Sequence, residues 1–132
     1  MPVKVRRHAE LPLIIATLTG DVIIDDVMEM FRRSAELFKP EDALVYRITH
    51  VKDATSTFSD MLQVIQSATQ QEAASTSDRR VQAILVGTSS WITFVRNALQ
   101  KRGVNIPLFE SIDMAMEFVY LQLEETEARK AQ

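Results

Sequence analysis

The chain has 132 residues, 46% of them hydrophobic and 25% charged, the length and composition of one globular domain able to bury a core. Its formal charge of −3 removes the long-range attraction to phosphate backbones on which nucleic-acid binders rely, and its basic pairs Arg6-Arg7, Arg32-Arg33, Arg79-Arg80 and Lys101-Arg102 are interleaved with Asp and Glu. Cysteine is absent, which excludes disulfides, thiol catalysis and thiolate metal sites.

In chain order, Val3 to Arg7 alternates weakly, Ala9 to Pro12 interrupts, and Leu13 to Leu18 is an apolar, β-rich run ending at Thr19-Gly20. This pattern predicts a hairpin. Asp25 and Asp26 then precede Val27, Phe31, Ser34, Ala35 and Phe38 at three- and four-residue steps, an acidic helix start that must stop before Pro40. Ala43 to Val51 is the next predicted strand. It places Arg47 and Thr49 on the face of Val45 and Val51, where an unpaired charge is costly to bury, so that face is expected to be only partly covered. The next predicted helix runs from Ser56 to about Ala74, with Phe58, Met61, Leu62, Ile65 and Ala68 on one face. The polar link Ser75 to Asp78 follows it. Val81 to Val86, nearly unbroken and bounded by Gly87, has the composition of an interior parallel strand. Ser89 or Ser90 is positioned to cap a helix carrying Trp91, Phe94, Val95, Ala98 and Leu99, which Lys101-Arg102-Gly103 ends. Ile106 to Phe109 is a short last strand, and Ser111-Ile112-Asp113 opens a final helix to about Leu123. The order argues an α/β sandwich, mainly parallel, with an antiparallel N-terminal hairpin strand and about four helices. Residues 1–123 form one domain in this reading, and 124–132 a charged C-terminal tail that frays.

The chemistry-bearing residues are few. His8 and His50 stand a helix apart without HExxH spacing, so no metal site is predicted, and the glycines form neither GxGxxG nor GxxxxGK[ST]. No Ser lies in GxSxG and no carboxylate pair exceeds what helix starts explain, so the chain reads as non-catalytic and without a cofactor. Thr88, Ser89 and Ser90 after Gly87 offer at most a small anion site at a helix terminus. No apolar run approaches the roughly 20 residues that span a bilayer and no signal-peptide pattern opens the chain, so a cytoplasmic protein without membrane contact is expected. The hydroxylated cluster Thr55-Ser56-Thr57 has a plain structural role open to it, because Ser56 or Thr57 with Asp60 has the spacing of a helix N-cap.

The segment "VKVRRHAELPLIIATLTGDVIIDDV" resembles the opening of SpoIIAA-like, or STAS, domains, the anti-sigma-factor-antagonist and sulfate-transporter family. "ALVYRITHVKDATSTFSDML" resembles that family's second strand pair and switch loop, and "VQAILVG" with "IPLFESIDMAMEFV" its later strand and terminal strand-helix unit. The likeness covers nearly the whole domain. It implies a regulatory protein-interaction module whose partner is a serine kinase or anti-sigma factor, with Ser56 at the position of a phosphorylated switch serine. Thr55 stands where the family's loop has Asp, and Phe58 where it has Gly. The same fold group resembles Sec14-like domains, and this implies an alternative, a small-ligand or lipid pocket lined by Trp91, Phe94, Phe58 and Met61. Association is the last expectation. Ile112, Ala115, Val119 and Leu123 form one stripe on the final helix, while Met114, Phe118 and Leu121 widen it enough to predict a homodimer contact.

Overall fold

A computed structural model of the chain describes residues 3–70 and 74–130. The strands are β1 (Val3–Arg7), β2 (Leu13–Asp21), β3 (Val45–Thr55), β4 (Val81–Val86) and β5 (Leu108–Phe109). The helices are α1 (Ile24–Glu36), α2 (Phe58–Ala68), α3 (Ser90–Lys101) and α4 (Ile112–Lys130). The sheet has the order β1-β2-β3-β4-β5, with β1 antiparallel to β2 and all later pairs parallel. This is the α/β sandwich that the patterning predicts.

The layering follows from connection handedness. From β2 onward each strand is added on the same side of the last, and parallel crossovers are right-handed, so every linking helix must fall on one face. α1, α2 and α3 do so, burying Val27, Met30, Phe31, Ile65, Ala68, Val95 and Leu99 against Ala16, Leu18, Val51, Val81 and Ala83. Only α4, after the last strand, is free to cross. It covers the other face, with Ala115 and Val119 on Leu13, Ile15, Ile48, Ile84 and Val86. β1 is left at the rim, where exposed Lys4 and Arg6 discourage further strand pairing.

The elements differ from the sequence pattern at informative places. β3 begins at Val45 and extends past Val51 to Thr55, because β2 also runs on to Asp21 and pairs with it beyond a bulge between Leu18 and Gly20. Gly20, at φ +72°, adopts the left-handed backbone that such a bulge favours. α2 starts at Phe58 rather than Ser56 and ends at Ala68, short of the predicted Ala74. The predicted helical residues 71–73 lie outside the described residues. β5 is confined to Leu108–Phe109, and α4 passes Leu123 to reach Lys130. Its charged end is rich in good helix formers, and Arg129 donates to Glu125 at 2.7 Å one turn back. The expected tail is therefore helical through Lys130, with 131–132 outside the described residues.

The largest correction concerns Arg47. Its sheet face is fully covered by the three linking helices, not partly open, and the side chain is only 1% exposed.

Candidate functional site

The carboxyl ends of β2, β3 and β4 feed the N-termini of α1, α2 and α3, so the three intervening loops gather along one edge of the sheet. In open α/β sheets this edge is the ordinary place for binding. The β3–α2 loop is tied down there by short polar contacts. Val22 N–H donates to the Thr55 carbonyl at 2.7 Å, and the Ser56 hydroxyl donates to the Val22 carbonyl at 2.9 Å. The Thr55 hydroxyl, at the last residue of β3, donates to the Asp21 carboxylate.

Thr57, not Ser56, caps α2. Its hydroxyl accepts the Asp60 N–H at 3.1 Å and donates to the Asp60 carboxylate at 2.8 Å, which satisfies one of the helix's free N-terminal donors. Ser56 is half-buried between strand and helix, its hydroxyl turned toward the β2–α1 connection. Asp21, Val22, Ile23, Thr55, Ser56, Thr57 and Asp60 line a groove of about 370 Å³ here. Its only charged groups are two carboxylates, so a phosphate on the loop would face like charge although the α2 terminus favours it.

Beside this groove the side chains turn apolar. Phe58 and Leu62, expected on the core face of α2, point outward instead, leaving Ile65 and Ala68 buried and Met61 half-buried. Phe58 is 61% exposed and Phe94 of α3 44%, and their rings meet with centroids 6.0 Å apart. Ile23 is exposed at the neighbouring α1 start. Trp91 is half-buried, and its indole N–H donates to the Ala54 carbonyl at 3.0 Å, joining α3 to the extended part of β3.

The other predicted residues lie apart from this cluster or do different work. Thr88 and Ser90 are exposed, and the Ser89 hydroxyl is buried without a partner, so no side chain caps α3. His8 shapes the β1–β2 turn by accepting the Glu10 and Leu11 N–H groups, each at 3.1 Å. His50 is half-buried on the α4 face, and burial together with the charge of Lys52 lowers its pKa. Among the described residues no three His, Asp or Glu side chains gather as metal ligands, and no helix is long and apolar enough to cross a membrane. On α4, Met114 and Leu121 are exposed, whereas Phe118 packs on Phe109 with ring centroids 5.5 Å apart.

Of the four residues expected to line a ligand pocket, only Trp91 lines an interior cavity; Phe58 and Phe94 form an exterior pair and Met61 packs elsewhere. The cavity lies under α1–α3, and its polar side chains include Arg47 and Thr49. Sequence reasoning did not place Arg47 there, although a lone cation inside the apolar run Val45 to Val51 was a visible signal. No family model matches the chain, and no curated protein matches it.

Proposed function

We propose that the chain is a non-catalytic, cytoplasmic regulatory module of the SpoIIAA-like kind, binding a protein partner at the carboxyl edge of its sheet. The observation that carries this reading is the Phe58–Phe94 pair, held ring against ring and exposed beside the hydroxylated loop. Single exposed apolar residues are ordinary, but two aromatics in contact, with Ile23 and Leu62 also exposed nearby, have the anatomy of an interface centre. The acidic groove and the Thr55-Ser56-Thr57 hydroxyls form the polar rim. A phosphate added to that rim brings close to two further negative charges and repels an acidic partner face. A serine kinase or anti-sigma factor fits this chemistry, and Met114, Phe118 and Leu121 on the opposite face are assigned to a homodimer contact.

The test places a photo-crosslinking phenylalanine analogue at position 94, or at exposed Glu124 as a control, in the source cells. The protein captured at 94 is then purified and titrated calorimetrically against the wild-type chain and Phe58→Ser. The reading expects capture at 94 but not at 124, and at least a tenfold weaker Kd for Phe58→Ser. Its melting temperature should stay near the wild type, since so exposed a ring contributes little to stability. Equal capture at both positions, or an unchanged Kd for Phe58→Ser, overturns it.

A further inference from the structure

α4 covers the apolar part of its sheet face and leaves the part toward β1 open. It packs along β3, β4 and β5, over Ile48, Ile84 and Val86. Side chains alternate along a strand, so the residues flanking the helix-facing Val3, Val5, Ala16, Leu18 and Val51 turn to the α4 side. These are Lys4 and Arg6 of β1, Thr17 of β2, and His50 and Lys52 of β3. Strand register puts Lys4, Thr17 and His50 in one row across the sheet, with Arg6 two residues to one side of it and Lys52 two residues to the other.

This strip is cationic and unpaired. Arg6 and Arg7 are neighbours that alternate to opposite faces, and Arg7 is spent on Asp42 and the Leu37 carbonyl. Lys4, Arg6 and Lys52 are all exposed, and among the described residues none of them forms an ion pair. Asp53, the carboxylate next in sequence, is also exposed, at φ +49°, and bonds to none of the three. Burial and then the charge of Lys52 lower the His50 pKa, so these two groups lie within electrostatic reach and His50 is a neutral hydrogen-bonding group at pH 7. Lys4 and Arg6, about 7 Å apart along one strand, repel each other until an anion lies between them.

We propose that this strip docks a short acidic segment of a protein partner, its carboxylates on Lys4, Arg6 and Lys52 and its polar groups on the Thr17 hydroxyl and His50. Charge complementarity carries the choice. The three cations span roughly 10 Å across the strands and 13 Å along them, the reach of about four extended residues. Carboxylates at alternate positions of an extended segment stand about 7 Å apart, which matches the Lys4–Arg6 spacing. A nucleic-acid duplex needs more phosphate contacts than three cations supply, and the overall charge of −3 disfavours the approach of a long polyanion. The strip is separate from the carboxyl-edge groove, which none of these residues lines, so either reading can fail alone.

The test titrates the isotope-labelled chain at low salt with a short peptide of alternating Glu and Ser, its Gln counterpart, and oligothymidylate of equal length. The acidic peptide should give saturable amide shifts centred on Lys4, Thr17 and His50, and the Gln peptide none. Lys4→Glu combined with Arg6→Glu should weaken the acidic peptide about tenfold and Lys52→Glu about threefold, while Arg79→Glu, at an exposed cation before β4, should stay within about twofold of wild type. All four substituted side chains are exposed, so the fold is retained, which circular dichroism verifies. No saturable shift at the three residues, an equal response to the Gln peptide, an equal loss in Arg79→Glu, or tighter binding of oligothymidylate to the same strip overturns the proposal. The shifts of the wild-type chain keep the test decisive if a variant does not fold.

Discussion

Ser56 and Thr57 are neighbours with similar hydroxyls and opposite duties. Thr57 stands exposed as the α2 cap, while Ser56 is half-buried with its hydroxyl aimed at the Val22 carbonyl. Substitution separates them. Thr57→Asn keeps an acceptor for the Asp60 N–H and a donor for the Asp60 carboxylate and should leave stability unchanged within about 0.5 kcal/mol, whereas Thr57→Ala should cost about 1 kcal/mol. Ser56→Asp removes a donor and sets a carboxylate against a carbonyl, at a cost of about 1–2 kcal/mol. Urea unfolding of the three variants checks this, and equal losses for Thr57→Asn and Ser56→Asp would show that both hydroxyls serve the same role. Were Ser56 the target of a kinase, its bond to Val22 would have to break first, so phosphorylation there would loosen the β3–α2 loop as well as charge it. Arg47 shows the limit of reading residues one by one. A cation among apolar neighbours signals either an open face or a buried charge, and only the packing of α1, which sets the Phe31 ring against the Arg47 guanidinium, decides for burial.

At the scale of elements, the Arg7–Asp42 pair joins the end of β1 to the α1–β3 connection. Two guanidinium nitrogens donate to the two Asp42 oxygens at 2.8 and 2.9 Å, and one of them also reaches the Leu37 carbonyl at 3.0 Å. The hydrogen bonds from Arg7 hold the Asp42 carboxyl below its ordinary value. A carboxyl whose pKa is depressed on folding contributes stability that is fully present above its unfolded pKa of about 3.9 and is lost as pH falls through the lower folded value. Asp42→Asn should therefore cost about 2 kcal/mol at pH 7, and the difference from wild type should shrink as pH falls below 4. Chemical denaturation at both pH values reads the result, and a difference that persists unchanged in acid would remove Asp42 from the account. The elements themselves were legible where composition and position agreed. Val81 to Val86 matches β4 residue for residue, because an apolar run bounded by Arg80 and Gly87 admits no other reading. The far end of β3 was not legible, since Lys52 and Asp53 are exposed and polar, and the strand persists there only through its pairing with β2 beyond the Gly20 bulge. The outward turn of Phe58 was equally hidden. Its spacing from Ile65 places both on one side of a helix, but the α2 face meeting α3 is narrower than that stripe.

For the molecule as a whole, the strand order assigns three helices to one face and leaves α4 alone on the other. A single helix can bury a sheet of this width only by packing along it lengthwise, and its 19 residues extend roughly 28 Å. Its inner side, Ala115 and Val119, is fully spent on that task. Its outer side still carries Met114 at 49% exposure, Leu121 at 57% and the exposed Tyr120, an apolar surplus with no second helix beside it among the described residues. A second copy laying its own α4 against this side would cover both surplus faces at once, which is how an isologous two-fold contact works. Phe118 is the wrong probe for it, since that ring already packs on Phe109 and its loss would perturb the fold. Met114→Glu and Leu121→Glu are clean, because both side chains face outward and neither belongs to the core. Light scattering should give twice the 15.0 kDa chain mass for the wild type and 15.0 kDa for the double variant, with matching circular dichroism spectra. A wild type that scatters as a single chain would leave α4 without a partner copy, and a double variant that stays dimeric would move the contact to another face.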